Sequence, residues 1–387
     1  MNTMETTNRY IAATYARVPL ALERGRGSLL YDEAGKEYID LGSGIAVNVF
    51  GAADEQWLGA VCRQAAKLQH SSNYYYTKPQ AELAALLCRK SGMENVFFSN
   101  SGAEANECAI KAARKYASDK YGPGRHGIIT LEGSFHGRTL ATLTATGQEA
   151  MHLHFGPFVE GFSYVPANDL SAMQAALDRG GVCAVMLEII QGEGGVRPLD
   201  CAFVQGVARL CRQRDVLLLV DEVQCGNGRT GKYFAYMHCG VQPDIVTTAK
   251  ALAGGLPMGA TLFGAKTKDV LGPGSHGSTY GGNPVCAAAG VSVVSRIDEA
   301  LMAGVTEKGE YIKNRLAGAP GVEDVTGMGL MIGVKTAKDV RDVIAACRER
   351  GLIVLSAKDR VRLLPALNIP MDILKKGIDI LTEVIAQ

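Results

Sequence analysis

No stretch of the sequence approaches the ~20 consecutive apolar residues that a membrane-spanning helix requires. Charge of one sign is also missing: 40 Lys+Arg face 39 Asp+Glu, a formal balance of +1. That argues against a general role on nucleic acid or on a membrane surface, while leaving room for a local basic pocket. The ten cysteines form no Cys-x-x-Cys pair, and Cys225, His238 and Cys239 fit no familiar zinc spacing. A disulfide framework is unexpected in so long a chain, so the cysteines read as reduced thiols, with no metal site. Met1 to Gly25 carries charges throughout and lacks the apolar core of a signal peptide, which leads to an expectation of a cytoplasmic protein. Internal repeats, low-complexity tracts and Pro/Ser-rich linkers are absent as well. What remains is a chain of 387 residues, 47% hydrophobic, suited to one large and one smaller domain with a sizeable core.

Between residues 80 and 285, short apolar runs alternate with helical patterns, which predicts an α/β fold with a mainly parallel sheet. The expected strands are Asn95–Ser99, Gly127–Leu131, Val182–Ile189, Val216–Asp221, Asp244–Thr248 and Ala260–Gly264. Helices are expected over Ala103–Ala117 and Ala202–Arg214. Towards the end, helices over Glu299–Leu316 and Ala337–Glu349 flank short strands near Gly329–Val334 and Val361–Leu364. A β-rich start, Ser28–Leu41, is expected to join that tail. The division is then residues 1–47 and 291–387 in a small domain, with 48–290 inserted between them as the large one.

Five segments carry residues suited to chemistry. In VLLLVDEVQCG (216–226) a buried strand delivers Asp221 to the carboxyl edge of the sheet, where open α/β sheets bind ligands; a solvated strand end is the plainer reading of a lone Asp. DIVTTAKALAGGLPMGA (244–260) delivers Lys250 into a glycine-rich turn. A lone lysine after a strand is usually surface, but glycines at 254, 255 and 259 permit close approach of a bound group. VFFSNSGAEANECAIKAARK (96–115) opens a helix whose free amides at Ser101, Gly102 and Ala103 suit an anion, with a simple N-cap as the equal alternative. GSFHGRTLAT (133–142) presents Phe135 and Arg138 in a loop, and HGSTYGGNP (276–284) offers Ser278 and Thr279 for phosphate contact. GNGRTGKY (226–233) nearly matches a phosphate-binding loop, but Tyr233 stands where a small hydroxyl should ligate magnesium. GSGIAV at Gly42 lacks the third glycine of a dinucleotide fingerprint.

Taken together these motifs, with LERGRGSLLYDEAGKEYIDLGSGIAV and EIIQGEGGV, resemble the class III aminotransferases of fold type I, and among them the acetylornithine aminotransferases. The resemblance spans almost the whole chain. It implies a seven-stranded, mostly parallel sheet, pyridoxal 5′-phosphate as cofactor, and a homodimer with shared active sites. Lys250 would carry the cofactor as a Schiff base and shuttle a proton, while Asp221 would pair with the protonated ring nitrogen. Phe135 and Val223 would cover the ring faces, and Gln224 would reach the ring hydroxyl. Glu222 is counted with the cofactor contacts. Ser101, Gly102 and Ala103 would cradle the phosphate, joined by Thr279 from the partner subunit. Arg138 would grip the substrate carboxylate with Ser278 beside it. Glu193 and Arg362 would form a switch: closed for an ω-amino donor, open so that Arg362 takes the α-carboxylate of glutamate. Tyr15 and Tyr76 fall where family members line the substrate pocket, with core packing the alternative. Glu188 would sit on the cofactor side of the pocket or simply end its strand.

The implied reaction passes the terminal amino group of N2-acetylornithine to 2-oxoglutarate, as in arginine biosynthesis. Ornithine, succinylornithine or 4-aminobutyrate could replace that donor, and a catalytically silent regulatory relative is the rival from outside enzymology. Two departures stand out. Gly51-Ala52-Ala53-Asp54-Glu55 replaces a family Gly-His-x-His-Pro, which puts that loop's structure in doubt, and Ala103 replaces a common Thr.

Overall fold

The turn residues Gly27, Gly35 and the alternating pattern around them fold the N-terminal region back on itself. In the computed structural model, which describes residues 1–387, this gives three antiparallel strands: β1 (Leu22–Arg26), β2 (Leu29–Asp32) and β3 (Glu37–Asp40). The central sheet follows, comprising β4 (Asn95–Ser99), β5 (Gly127–Leu131), β6 (Phe162–Val165), β7 (Val182–Leu187), β8 (Leu217–Asp221), β9 (Ile245–Thr248) and β10 (Gly259–Phe263). Its spatial order is β4-β10-β9-β8-β7-β5-β6. All strands run parallel except β10, which is antiparallel to both β9 and β4. The expected mostly parallel, seven-stranded sheet is therefore present.

Burial explains which strands were readable. Every residue of β7, β8 and β9 is buried, as expected for strands covered on both faces, and their sequences are near-continuous apolar runs. The edge strand β6 was missed because three of its four residues keep some exposure, leaving too short an apolar run to stand out.

The parallel strands β4, β8 and β9 all end at one edge of the sheet, and the antiparallel β10 starts there. Gly259 opens β10 so close to the β4 turn that a Cβ would meet the Ser99 hydroxyl at 2.6 Å and the Ser101 carbonyl closer still. Behind the sheet, the helix Gly102–Tyr121 lays a stripe of alanines, Ala105, Ala109, Ala112 and Ala113, into the core. Small side chains let its axis approach closely, which aims its N-terminus at that same edge.

The two chain ends meet. β3 pairs in parallel with β11 (Leu352–Ile353), with Ile39 opposite Leu352. Gly377 of the last helix, Met371–Ala386, lets this pair pack tightly, since an added Cβ would press on Ile39, Leu41 and Leu352 at 3.3 Å. Four further antiparallel strands, Val322–Met328, Met331–Thr336, Leu355–Ala357 and Arg360–Leu363, complete the C-terminal part. Arg229, buried in the GNGRTG turn, ties the central sheet to it by donating to the carbonyls of Leu330 and Pro365.

Two sequence expectations are corrected or resolved here. The cysteines are not all free: Cys201, at the start of the helix Cys201–Arg214, is disulfide-bonded to Cys239, at the end of the short helix Ala235–Cys239. They lie 38 residues apart and become neighbours only in the fold; the other eight are thiols. The loop lacking the family histidines is held another way. Asp54 caps the helix Glu55–Ala65 by accepting from Trp57 N and takes both outer nitrogens of Arg296 at 2.7 and 3.1 Å. Trp57 then donates its indole N–H to the carbonyl of Ala253 at 2.9 Å, bracing the turn that follows Lys250.

Candidate active site

β8 ends in Asp221, which is 4% exposed, and three donors fix its carboxylate. Asn106 Nδ2 donates to Oδ2 at 2.7 Å, His136 Nδ1 lies 2.9 Å from the same oxygen, and Val223 N donates to Oδ1 at 2.9 Å. Asn106 is itself held by the Thr247 hydroxyl, which donates to its Oδ1 at 2.6 Å. Asn106 and His136 were not among the residues singled out from the sequence. The usable signal was a polar residue, Asn106, on the otherwise apolar buried face of the helix Gly102–Tyr121.

Lys250 follows β9 with φ 45, in the left-handed region that a lysine adopts only when its surroundings impose it. The residue borders the cavity, but its amine lies deep. Burial is the dominant influence and pushes its pKa down, while the carboxylates of Glu193 and Asp221 pull the other way. The direction matters chemically, because a lowered pKa leaves more of the amine neutral near pH 7 and able to act as nucleophile or base.

At the third corner the Ser101 hydroxyl caps the helix by accepting from Glu104 N at 3.2 Å. The amides of Gly102 and Ala103 lie in the first turn and have no intrahelical partner, so they are available to an anion. Gly102 is required here: a Cβ would stand 2.7 Å from Val223 Cγ1.

These groups surround one cavity of about 450 Å³, with Phe135, Arg138, Glu188, Val223, Gln224 and Met258 in its walls. Arg138 is exposed to the cavity, 5.5 Å from the centre of the Phe135 ring, and makes no ion pair with the protein. Glu188, just past β7, accepts from Phe135 N at 2.9 Å and Gly192 N at 3.3 Å. Burial pushes its carboxyl up to about 7, opposed by His136 and reinforced by Asp221. Glu193 is bound by Arg362 Nη1 at 2.6 Å, and both touch Gln224, which lines the cavity.

Other expected residues lie elsewhere. Glu222 does not face the cavity. Its buried carboxyl accepts from Ala235 N at 2.9 Å and Tyr236 N at 2.8 Å, and burial pushes it up to about 7. Ser278 and Thr279 line a separate, wider hollow shared with Tyr76. Ser278 accepts from Nδ2 of Asn100, a residue of the active-site cavity wall, at 3.2 Å. Tyr15 and Tyr76 are open to solvent in the single chain, which rules out core packing within it and leaves both outside this cavity.

An acid against one end, a deep amine, free amides for an anion and an aromatic wall together fit a planar, phosphorylated pyridine aldehyde. Family comparison decides the matter: residues 10–385 match the model of aminotransferase class III. The chain is a class III aminotransferase. Enzymes of this family depend on pyridoxal phosphate. The aminotransferase is 48% identical over 380 residues to acetylornithine aminotransferase of Haemophilus ducreyi, covering 98% of this chain and 97% of the relative. It is 44% identical to acetylornithine aminotransferase of Methanothermobacter thermautotrophicus, covering 99% and 98%. Among solved structures it resembles N-acetylornithine aminotransferase of Stenotrophomonas maltophilia, at TM-score 0.86, 37% identity and coverage of 99% and 98%. Ornithine aminotransferase of Toxoplasma gondii superimposes at TM-score 0.94 with 31% identity, covering 99% and 94%. No helix of the aminotransferase is long and apolar enough to cross a membrane.

Proposed function

We propose that the enzyme transfers the terminal amino group of N2-acetyl-L-ornithine to 2-oxoglutarate, giving N-acetyl-L-glutamate 5-semialdehyde and L-glutamate in two alternating half reactions. The observation that carries this reading is the asymmetry of the two arginines. Arg138 is unpaired at the cavity wall, whereas Arg362 is engaged by Glu193 at 2.6 Å. One available guanidinium suits a donor with a single carboxylate far from its reacting amine. The acceptor carries two carboxylates and calls on Arg362 as well.

When bound, pyridoxal phosphate supplies the carbonyl that takes the amino group and the ring that accepts the electron pair released at carbon. The chain's own residues do the rest. Gly102 and Ala103 N–H groups hold the phosphate, while Phe135 and Val223 confine the ring. Asp221 keeps a proton on the ring nitrogen. The Lys250 amine would hold the cofactor and, once released, would take the proton from the substrate carbon and return it.

The reading includes a homodimer in which Thr279 of the partner subunit completes the phosphate site; the exposed Tyr15, Tyr74, Tyr75 and Tyr76 fit burial against a second copy. Residues 48–290 form the large, cofactor-binding unit, with 1–47 and 291–387 the small one. It also places the enzyme in the cytoplasm and in arginine biosynthesis; eight thiols, the exposed Cys62 among them, accord with that compartment, and the Cys201–Cys239 disulfide does not.

Steady-state kinetics on three donors at saturating 2-oxoglutarate test the substrate. Acetylornithine is expected to exceed ornithine and 4-aminobutyrate in kcat/KM. Ornithine brings an α-ammonium beside Arg138, a like charge that must be desolvated. 4-Aminobutyrate is one carbon too short to reach Arg138 with its amine at the cofactor. Losing such a charge-assisted contact costs roughly 1.5–3 kcal/mol, about ten- to a hundredfold in specificity. Ornithine equal to or better than acetylornithine would overturn the donor and leave the aminotransferase. Absence of turnover with any amine would instead favour a silent regulatory protein.

Glu193→Ala tests the switch. With its partner gone, Arg362 is free, so glutamate should gain as donor relative to acetylornithine, by about tenfold for one charge-assisted bond. An equal effect on both donors would count against it.

A further inference from the structure

The closed switch has a third member. Arg362 Nη1 donates to Glu193 Oε1 at 2.6 Å and also to Gln224 Oε1 at 3.0 Å, while Gln224 Nε2 donates to Glu193 Oε1 at 3.3 Å. The three side chains therefore close a triangle. The amide's orientation follows from chemistry, since only its oxygen can accept from a guanidinium. Gln224 is 7% exposed, and the backbone of the glycine-rich turn pins it. A Cβ at Gly192 would meet Gln224 Cδ at 2.6 Å, so the amide occupies the space a side chain would fill. Glu193 and Arg362 stand back from the cavity, and Gln224 alone of the three is in its wall. Arg362 is 3% exposed, and its Nε has no partner, so the guanidinium is incompletely satisfied where it lies.

We propose that Gln224 is the positioning residue that sets how readily Arg362 leaves Glu193, and so how strongly the enzyme separates a dicarboxylate acceptor from a monocarboxylate donor. The inference rests on the reading of Arg362 as the acceptor's second carboxylate site. To reach a substrate carboxylate, Arg362 must give up the amide oxygen as well as Glu193. The same movement leaves that oxygen without its donor. An amide nitrogen has two hydrogens, and the one not on Glu193 is free to point into the cavity towards the cofactor ring oxygen. One amide would thus face both a bound cofactor and the switch. The unmet Arg362 Nε is the counterweight: a carboxylate that accepts from Nε and Nη together offers the guanidinium a bidentate partner it lacks when closed.

The probe is glutarate, an unreactive five-carbon dicarboxylate, titrated calorimetrically into the amine form of the holoenzyme, with pentanoate as the monocarboxylate control. Gln224→Ala removes the closed-state acceptor and should bind glutarate about three- to tenfold more tightly than the unaltered enzyme, a fraction of the full worth of a charge-assisted bond because water replaces the amide. Gly192→Ala, which displaces the amide while sparing all three members, should shift glutarate in the same direction. Gln224→Glu gives Arg362 a second carboxylate and should weaken glutarate about threefold or more. Pentanoate should stay within about twofold throughout, because Arg138 alone receives it. Opposite signs for the alanine and glutamate variants are an outcome that mere damage to packing does not produce. Steady-state KM for 2-oxoglutarate should follow the same order, whatever happens to kcat. If the unaltered enzyme binds glutarate no better than pentanoate, the reading of Arg362 itself falls. If it binds glutarate better but both Gln224 variants leave that affinity unmoved, or move pentanoate equally, the role of Gln224 is overturned and the switch stands.

Discussion

Lys250→Ala is expected to abolish turnover, leaving less than about a thousandth of the unaltered rate, because in the proposed mechanism one amine serves both as anchor for the cofactor and as proton carrier. The cofactor should remain bound, because the proposed phosphate and ring contacts, at Gly102, Ala103, Phe135 and Val223, would not involve Lys250. Borohydride treatment should therefore leave no cofactor covalently attached to the chain. The fold around the site is not at stake, since Trp57 and Gly259 hold the flanking turn independently of the lysine side chain. Alanine keeps the Cβ, so the backbone cost of φ 45 at this position is carried over unchanged. A variant that still showed borohydride-stable attachment at the unaltered level would refute the assignment.

The second large effect belongs to Asp221→Asn. The substitution is nearly isosteric, so Val223 N can still donate to the remaining side-chain oxygen, and the cofactor should stay bound. A neutral amide cannot hold a proton on the ring nitrogen, so the ring loses much of its power to accept charge as the carbon–hydrogen bond breaks. Proton abstraction is expected to slow by about 10²–10³-fold, the scale of losing one preorganised electrostatic stabiliser. Single-turnover reaction with the amine donor measures this step directly. A near-normal rate would reduce Asp221 to a structural strand end. The new amide must also accommodate Asn106 Nδ2 and His136 Nδ1 at one position, where both now meet a single carboxylate oxygen, so some loss of stability is expected alongside.

How much of this was legible in the sequence depended on whether a residue's role is local. β7 and β8 are covered on both faces, so burial is written as apolar runs, whereas the half-exposed β6 left no such trace. Lys250, Asp221 and the Ser101–Ala103 turn stood out because an amine, an acid and a helix start each end a buried strand or directly follow one. Asn106 and His136 act on a carboxylate 115 and 85 residues away, and nothing in their immediate surroundings announces that partner. The Cys201–Cys239 bond was hidden for the same reason. Glu222 was misplaced by adjacency: its neighbours Asp221 and Val223 face the cavity, while its own carboxyl, where the strand gives way to a turn, is taken by the backbone of Ala235 and Tyr236. Tyr15 and Tyr76 were carried to the pocket by family position, and within one chain they remain in solvent.

The pairing of β3 with β11 has a consequence for the chain's birth on the ribosome. Lys36 reaches the carbonyl of Glu349, 313 residues further on, and the parallel neighbour of β3 starts only at Leu352. At roughly 5–20 residues per second of synthesis, that neighbour emerges about 15–60 s after the N-terminal hairpin. Throughout that interval β3 is an unpaired edge carrying Tyr38 and Ile39, which are buried in the finished protein. The central sheet, being continuous in sequence, can assemble in the meantime. The nascent enzyme would therefore complete its central sheet first and close the edge of β3 last.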